Sequence, residues 1–384
     1  MKTYRIYYSS KTLPNSWDAL VRHDIFLQSH YLEALENGAP DNIQLFYVGV
    51  FLDENLVGVA IIQRVKLYLK DMFRKTEVSC LKEVFQNAIS KVLKGNILVV
   101  GNLTHTGQHG LFFEEKLISE TEYTDLILNA LNDIKIEIKQ RQGKTVRLIV
   151  FKDFFIDDTV YNRPLVFKKQ HLHQVSVQPN MMLDIPSDWL NIQDYTSALT
   201  KKYRDRYKRS KKKLGKITTV ELNLEAVQAN NQKLHKLYLN VSNNAKFNSF
   251  ILPENHFLSF KTHLGENFKV FGYFLDDVLV GFYSLILNGN QLETYFLGYD
   301  SEHQYSNQLY LNMLYDMLQF GIENNFKNIV YARTAMAIKS SVGAYAKPMQ
   351  VYMKHTNPYL NGLLKPVFQL MNPKQEWEER HPFK

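Results

Sequence analysis

Cysteine is all but absent from this 384-residue chain: Cys80 stands alone. A lone thiol excludes an intramolecular disulfide and fits a reducing compartment. No apolar run reaches the roughly 20 residues that a membrane-spanning helix needs. The opening, MKTYRIYYSS, has a positive residue but no apolar signal-peptide core. These absences lead us to expect a cytoplasmic protein without stable membrane insertion. Neither H-E-x-x-H nor C-x-x-C occurs. His171-x-His173 would put two imidazoles on one strand face, but no third ligand is evident, so no metal is expected. Cys80 has no recognisable histidine partner pattern for nucleophilic work. No stretch is low in complexity, and none reads as a disordered linker.

Apolar content is 45% and charged content 22%, ordinary values for a globular chain. The length favours two domains, each able to bury its own core. Abundant Lys, Asn, Phe and Tyr hint at an AT-rich bacterial genome. The net charge of +8 is concentrated. Lys201–Lys216 (KKYRDRYKRSKKKLGK) holds ten basic residues and one acid. Such a cluster is either a solvated helix face or a footprint for phosphates, nucleic acid or another anionic surface.

The chain also repeats itself. Phe51–Gly58 (FLDENLVG) matches Phe274–Gly281 (FLDDVLVG). In each copy an aromatic strand enters a tight acidic turn and an apolar strand leaves it. Val146–Val150 (VRLIV) likewise resembles Lys327–Val330 (KNIV), and each follows a long helical pattern. Two matches in the same order imply duplication: an α/β chain of two similar tandem domains. We place the first at 1–185, with extra material around 71–120. The second is placed at 186–384 and opens with a basic helix at 188–214. In the second copy, alternation over 269–300 gives three strands, with a hairpin at Asn288-Gly289. Helical patterns are expected at 28–37, 121–142, 224–242, 253–263 and 302–324. An amphipathic helix is expected at 358–371, and bridging strands within 160–185.

A strand, two helices, three antiparallel strands, a helix, a strand, a helix and a strand is an order that resembles the GNAT acyltransferase fold. The tandem pair resembles its Fem-type branch, the FemABX peptidyltransferases and FemAB-like relatives. Three passages carry the resemblance. Leu199-Thr-Lys-Lys-Tyr-Arg204 with the basic residues after it looks like the family's L-x-x-K-x-R helix. Val270–Asp300 looks like its central strands. Ala332-Arg333-Thr334 with Ile338–Ala344 looks like its late strand, loop and helix. The resemblance implies two mainly antiparallel sheets flanked by helices. It also implies acyl or aminoacyl transfer to an amine, possibly on a cell-envelope precursor, in a groove between the domains. The donor would be acyl-CoA or aminoacyl-tRNA, with no tightly bound cofactor. The acceptor would be anionic or nucleotide-linked.

Acyl transfer to an amine needs a proton acceptor, donors for the oxyanion and a proton for the leaving group. Lys339, Glu293 and Tyr345 are the catalytic candidates. Glu293 could deprotonate the amine and Tyr345 could protonate the leaving group. Lys201, Lys202, Arg204, Tyr295 and Arg333 are the candidates for substrate binding, where cations can hold a phosphate or carboxylate. For each, a surface ion pair or plain packing is the competing reading. The Q/R-x-x-G-x-G/A loop that holds a CoA pyrophosphate is replaced in the second half by Ser301–Gln308, which lacks glycine. In the first half, Gly107, Gln108 and Gly110 form a glycine-rich loop at roughly the matching place. Two other functions stay open: an inactive anion-binding protein of the same fold, and a nucleic-acid binder using 201–216.

Overall fold

The computed structural model describes residues 1–67, 95–244, 248–362, 364 and 377–384. Cys80, the 71–94 part of the expected extra material, and residues 363 and 365–371 of the helix expected at 358–371 lie outside them. Two units divide the described residues: those of 1–177, 246–251 and 348–374, and those of 178–245, 252–347 and 375–384. The boundary thus falls at 177/178, not 185/186, and a late segment from Pro348 onward is grouped with the first unit.

In the first unit, β1 (Lys2–Tyr7) leads to helices α1 (Trp17–Leu20) and α2 (Ser29–Asn37). The hairpin β2 (Ile43–Leu52) and β3 (Asn55–Leu67) follows, then β4 (Gly95–Val100) and the short β5 (Leu111–Phe113). Helix α3 (Glu120–Gln142), β6 (Val146–Phe155), α4 (Pro164–Lys169) and β7 (His173–Asp184) come next. The second unit continues with α5 (Ile192–Ala198), α6 (Lys201–Leu214), β8 (Thr218–Glu221), α7 (Leu224–Ala229), α8 (Asn231–Ser242) and α9 (His256–Leu264). Its remaining elements are β9 (Phe268–Leu275), β10 (Val278–Asn288), β11 (Gln291–Tyr299), α10 (Ser301–Ser306), α11 (Leu309–Glu323), β12 (Asn328–Ala332) and α12 (Met336–Ser340). The last strand is β13 (Tyr345–His355). Its residues from Pro348 belong to the first unit, as the residues of β7 from Gln178 belong to the second.

The two units share one strand pattern. In the first, β1-β2-β3-β4 are antiparallel neighbours, β4 and β6 are parallel, and β13 closes antiparallel on β6. In the second, β8-β9-β10-β11 are antiparallel neighbours, β11 and β12 are parallel, and β7 closes antiparallel on β12. The duplication extends to packing. A Cβ on Gly49 would lie 2.9 Å from Leu56 and 3.1 Å from Phe51. On Gly272 it would lie 2.9 Å from Leu279 and 2.8 Å from Phe274. Both glycines therefore give way to the same aromatic–leucine pair across the turn.

Each sheet is covered by helices with an apolar stripe. On α3, Tyr123, Ile127, Leu131, Ile134 and Ile138 are buried and pack with Phe46, Val48 and Val100. Ser119 and Glu122 form a capping box at its start, and Gly143 ends it with φ 63°. On α11, the expected stripe Leu311, Leu314, Leu318 and Ile322 is buried in the second core.

Four segments differ from expectation because local caps cut them, the first being the helix expected at 224–242, which is parted into α7 and α8 at Asn230. The basic helix expected at 188–214 is two helices. Asn191 caps α5 in a capping box with Asp194, and extended Leu199 and Thr200 separate α5 from α6. The helix expected at 302–324 breaks at Gln308, whose φ is +50°. The 160–185 stretch contains α4 before its strand, with Pro164 at the helix start.

Candidate functional site

The second unit concentrates the candidate groups at the ends of β11 and β12. The β11/β12 register runs from Gln291/Asn328 to Glu293/Val330, yet β11 continues to Tyr299. The register against β10 shifts by one residue, so that Tyr295 and Phe296 together face Ser284. This is a β-bulge, a device that re-aims side chains and ends pairing. The Ser284 hydroxyl fixes it by donating to the Phe296 carbonyl (2.6 Å). In the first unit the matching parallel pair shifts by one residue after Asn96/Val146 and then stays in register from Ile97/Leu148 to Val100/Phe151, the end of β4.

Glu293 lies two residues before Tyr295, the first of the two residues in the bulge. Glu293 is fully buried. The Tyr295 hydroxyl shares a 3.0 Å hydrogen bond with Nε2 of His256, also fully buried, and their rings stack with centroids 5.7 Å apart. Phe260 packs against both rings, stacked at 5.3 Å on Tyr295 and tilted at 4.3 Å from His256. The bulge thus sits over an aromatic bed supplied by α9.

The chain leaves β12 through a strained turn. Ala332, Thr334 and Ala335 have φ of 57°, 66° and 47°. Left-handed backbone is unfavourable for any side chain and most of all for a β-branched one, at about 1–3 kcal/mol per residue. Lys339, reaching back from α12, holds the turn. Its Nζ donates to the carbonyls of Tyr331, Ala332 (3.2 Å) and Arg333 (2.6 Å). It is 5% exposed, and burial pulls its pKa down to about 7. The turn places Arg333, half-buried, at the end of β12. Glu293 pairs in parallel with Val330, the last pair of β11 and β12, and Lys339 and Arg333 meet in the turn just beyond that end of β12.

Tyr345 does not join them. Its hydroxyl donates to the Asp184 carboxylate (3.2 Å), and Asp184 is paired with Asn328, the first residue of β12. Arg333 lies five residues beyond that end, roughly 16 Å at about 3.3 Å per residue. On α6, Lys201 and Lys202 are exposed, whereas Arg204 donates from its guanidinium to the Leu199 carbonyl (2.9 Å). The helix buries Tyr203 and Ser210 and packs Tyr207 edge-on against Tyr315 of α11. Its open side carries Lys201, Lys202, Lys208, Arg209, Lys212 and Lys213, with Asp205 the one exposed acid. Lys211 is spent on an ion pair with Asp316.

The first-unit loop is built differently from a phosphate cradle. The Gly107 amide donates to the buried Asp153 carboxylate (3.3 Å). The Gln108 side chain donates to Asp158 (2.8 Å) and accepts from the Phe155 amide. The Gly110 carbonyl accepts from the Ile61 amide (2.8 Å), and a Cβ there would meet Gly101 Cα at 2.2 Å. The Gly107 amide and the Gln108 side chain thus already serve carboxylates of the same unit. The helix that follows begins only at Glu120, and the Ser119 hydroxyl already takes the Glu122 amide. In the second unit Asp300 accepts from the Glu302 amide and Gln304 from the Tyr310 amide.

Sequence reasoning missed four groups. His109 Nδ1 lies 2.9 Å from Asp24 Oδ2, and Phe26 stacks on His105 at 4.1 Å, in a buried polar cluster of the first unit. His256 is the fourth. No spacing pattern flags any of them, because each partner is distant in sequence.

No family model matches the sequence, and no curated protein matches it. Solved structures do. The crystal structure of FemX covers 95% of this chain and 99% of its own, at 12% identity and a TM-score of 0.55. A tandem GNAT protein from the clavulanic acid biosynthesis pathway covers 93% of this chain and 99% of its own, at 10% identity and a TM-score of 0.52. Together with the repeated strand pattern, these likenesses show that the chain has a tandem GNAT fold similar to that of FemX.

Proposed function

We propose that this protein is an acyltransferase that passes an acyl or aminoacyl group to an amine, with its chemistry in the second unit. One observation carries the reading. The parallel pair β11/β12 parts after Glu293/Val330, and β11 runs on through a bulge beside a buried carboxylate. Backbone N–H groups on such a segment can receive the developing oxyanion, which is often the largest single contribution to catalysis. The amine nitrogen attacks the acyl carbon, and the bond from that carbon to the carrier breaks. Glu293 takes the amine proton. Tyr295, tied to His256, returns a proton to the departing carrier in this reading. Arg333 binds an anionic group of the acceptor, and Lys339 positions Arg333 by holding its carbonyl.

The carrier is CoA or tRNA, and the caps favour tRNA. Side-chain acceptors already take amides at the starts of α3 and α11 that a pyrophosphate would use. The exposed basic face of α6 instead suits a polyanion.

The test is a transfer assay with acetyl-CoA and aminoacyl-tRNA donors against amine acceptors, including nucleotide-linked ones. Glu293→Gln should lower kcat by about 10²–10⁴-fold, the span of general-base contributions, while melting temperature stays close to wild type. A folded variant with undiminished turnover would overturn the assignment.

A further inference from the structure

The first unit holds a cavity of about 740 Å³ between the start of α3 and the 156–166 segment that leads into α4. That is within the range of about 300–1,000 Å³ typical of small-molecule sites. Its walls are mixed. Phe113, Ile118 and Leu165 give apolar surface; Glu120, Asp158 and Arg163 give charge. Asp158 is already committed. One oxygen accepts from the Val160 and Tyr161 amides (2.8 and 2.7 Å), and the other accepts from Gln108.

Glu120 is different. Its side chain is only 14% exposed, yet its carboxylate accepts no hydrogen bond among the described residues. Oε2 stands 3.8 Å from Arg163 Nε, beyond hydrogen-bond reach, and Oε1 is shut off from water. Burial lifts the Glu120 carboxyl to about 7, against the downward pull of Arg163. The Arg163 side chain is 54% exposed and so accessible to a ligand. A poorly satisfied carboxylate in a cavity, beside a guanidinium with donors to spare, is a pair of opposite poles. A ligand with an ammonium and a carboxylate would complete both.

We infer that the first unit binds a zwitterionic amino compound, a short peptide with free amine and carboxylate, whose ammonium bonds Glu120 and whose carboxylate bonds Arg163. The apolar wall of Phe113, Ile118 and Leu165 takes an aliphatic side chain. The cavity is larger than a single amino acid requires, which is why a short peptide is the better fit. The inference does not rest on acyl transfer and survives if the protein proves inactive.

Isothermal titration of the full-length protein with Leu-Ala-Ala tests it, alongside the N-acetylated peptide and the C-terminal amide. The unmodified tripeptide should bind, and blocking either end should weaken binding at least tenfold. Glu120→Gln should remove the preference for the free amine, and Arg163→Met the preference for the free carboxylate. The comparison of blocked and free peptides on the wild-type protein needs no variant, so misfolding of a variant leaves the test intact. Absence of binding by the free tripeptide, or equal binding of all three forms, would overturn the inference.

Discussion

Lys339 shows how much one side chain can organise. Three carbonyls of a left-handed turn converge on one ammonium, which has three hydrogens to offer. Lys339→Met would leave these acceptors without a donor while keeping the bulk of the side chain. Unmet buried groups cost about 1–3 kcal/mol each, so we expect a loss of about 3 kcal/mol in denaturant unfolding near pH 7. The sign of the pH dependence follows from burial. The folded-state pKa is about 7, and an unfolded lysine titrates near 10.4, a reference value of roughly one-unit spread. Between these values the unfolded chain binds more protons, so stability rises with pH. The advantage of wild type over Lys339→Met should therefore widen from pH 7 to pH 10. Other groups titrate in both proteins and cancel in the difference. An advantage that stays flat over that range would mean the ammonium persists in the folded state.

At the scale of elements, the hairpin repeat was legible because it depends on local chemistry. The match of FLDENLVG with FLDDVLVG reports a two-residue turn and the glycine opposite its aromatic–leucine pair, all within one hairpin. Elements that depend on contacts across the fold were not legible. The hold of Lys339 on the Arg333 carbonyl beside the end of the β11/β12 pair follows from a parallel register and a left-handed turn, and the hydrogen bond of Tyr345 to Asp184 is one that no spacing announces. Broken helices were misread for a smaller reason: apolar periodicity continues across Leu199-Thr200 and Gln308, while the backbone does not. The bulged strand has its own dependence on close packing. A Cβ on Gly298 of β11 would lie 2.3 Å from the Leu237 carbonyl carbon and 2.4 Å from the Tyr238 amide nitrogen, both backbone atoms of α8. Neither can move aside alone. Gly298→Val should lift α8 from β11, with a large fall in melting temperature and loss of hydrogen-exchange protection in α8. Retained protection there would show that the helix accommodates the side chain by sliding.

For the molecule as a whole, the excess of eight positive charges is a statement about encounter, not about fold. Much of it lies on the outer side of α6, where Lys208, Arg209 and Lys212 are exposed and none has an acidic partner among the described residues. Solvation alone would satisfy such a face, and then its charges would be interchangeable with others on the surface. A tRNA-borne donor makes a different demand. Each phosphate contact releases counterions, and affinity falls with salt by a slope of about 0.7 to 0.9 per contact. Replacing Lys208, Arg209 and Lys212 together with Glu should weaken tRNA binding and flatten the log–log salt slope by about 2 to 3. The melting temperature should hold, because the buried side of α6 (Tyr203, Tyr207 and Ser210) is untouched. Turnover with a small acyl-CoA donor should also hold, since that donor has no reason to use the helix. Loss of both activities would instead place α6 within the reacting site itself. An unchanged salt slope in a folded triple variant would remove tRNA from the proposal and leave the basic face as a solvated one.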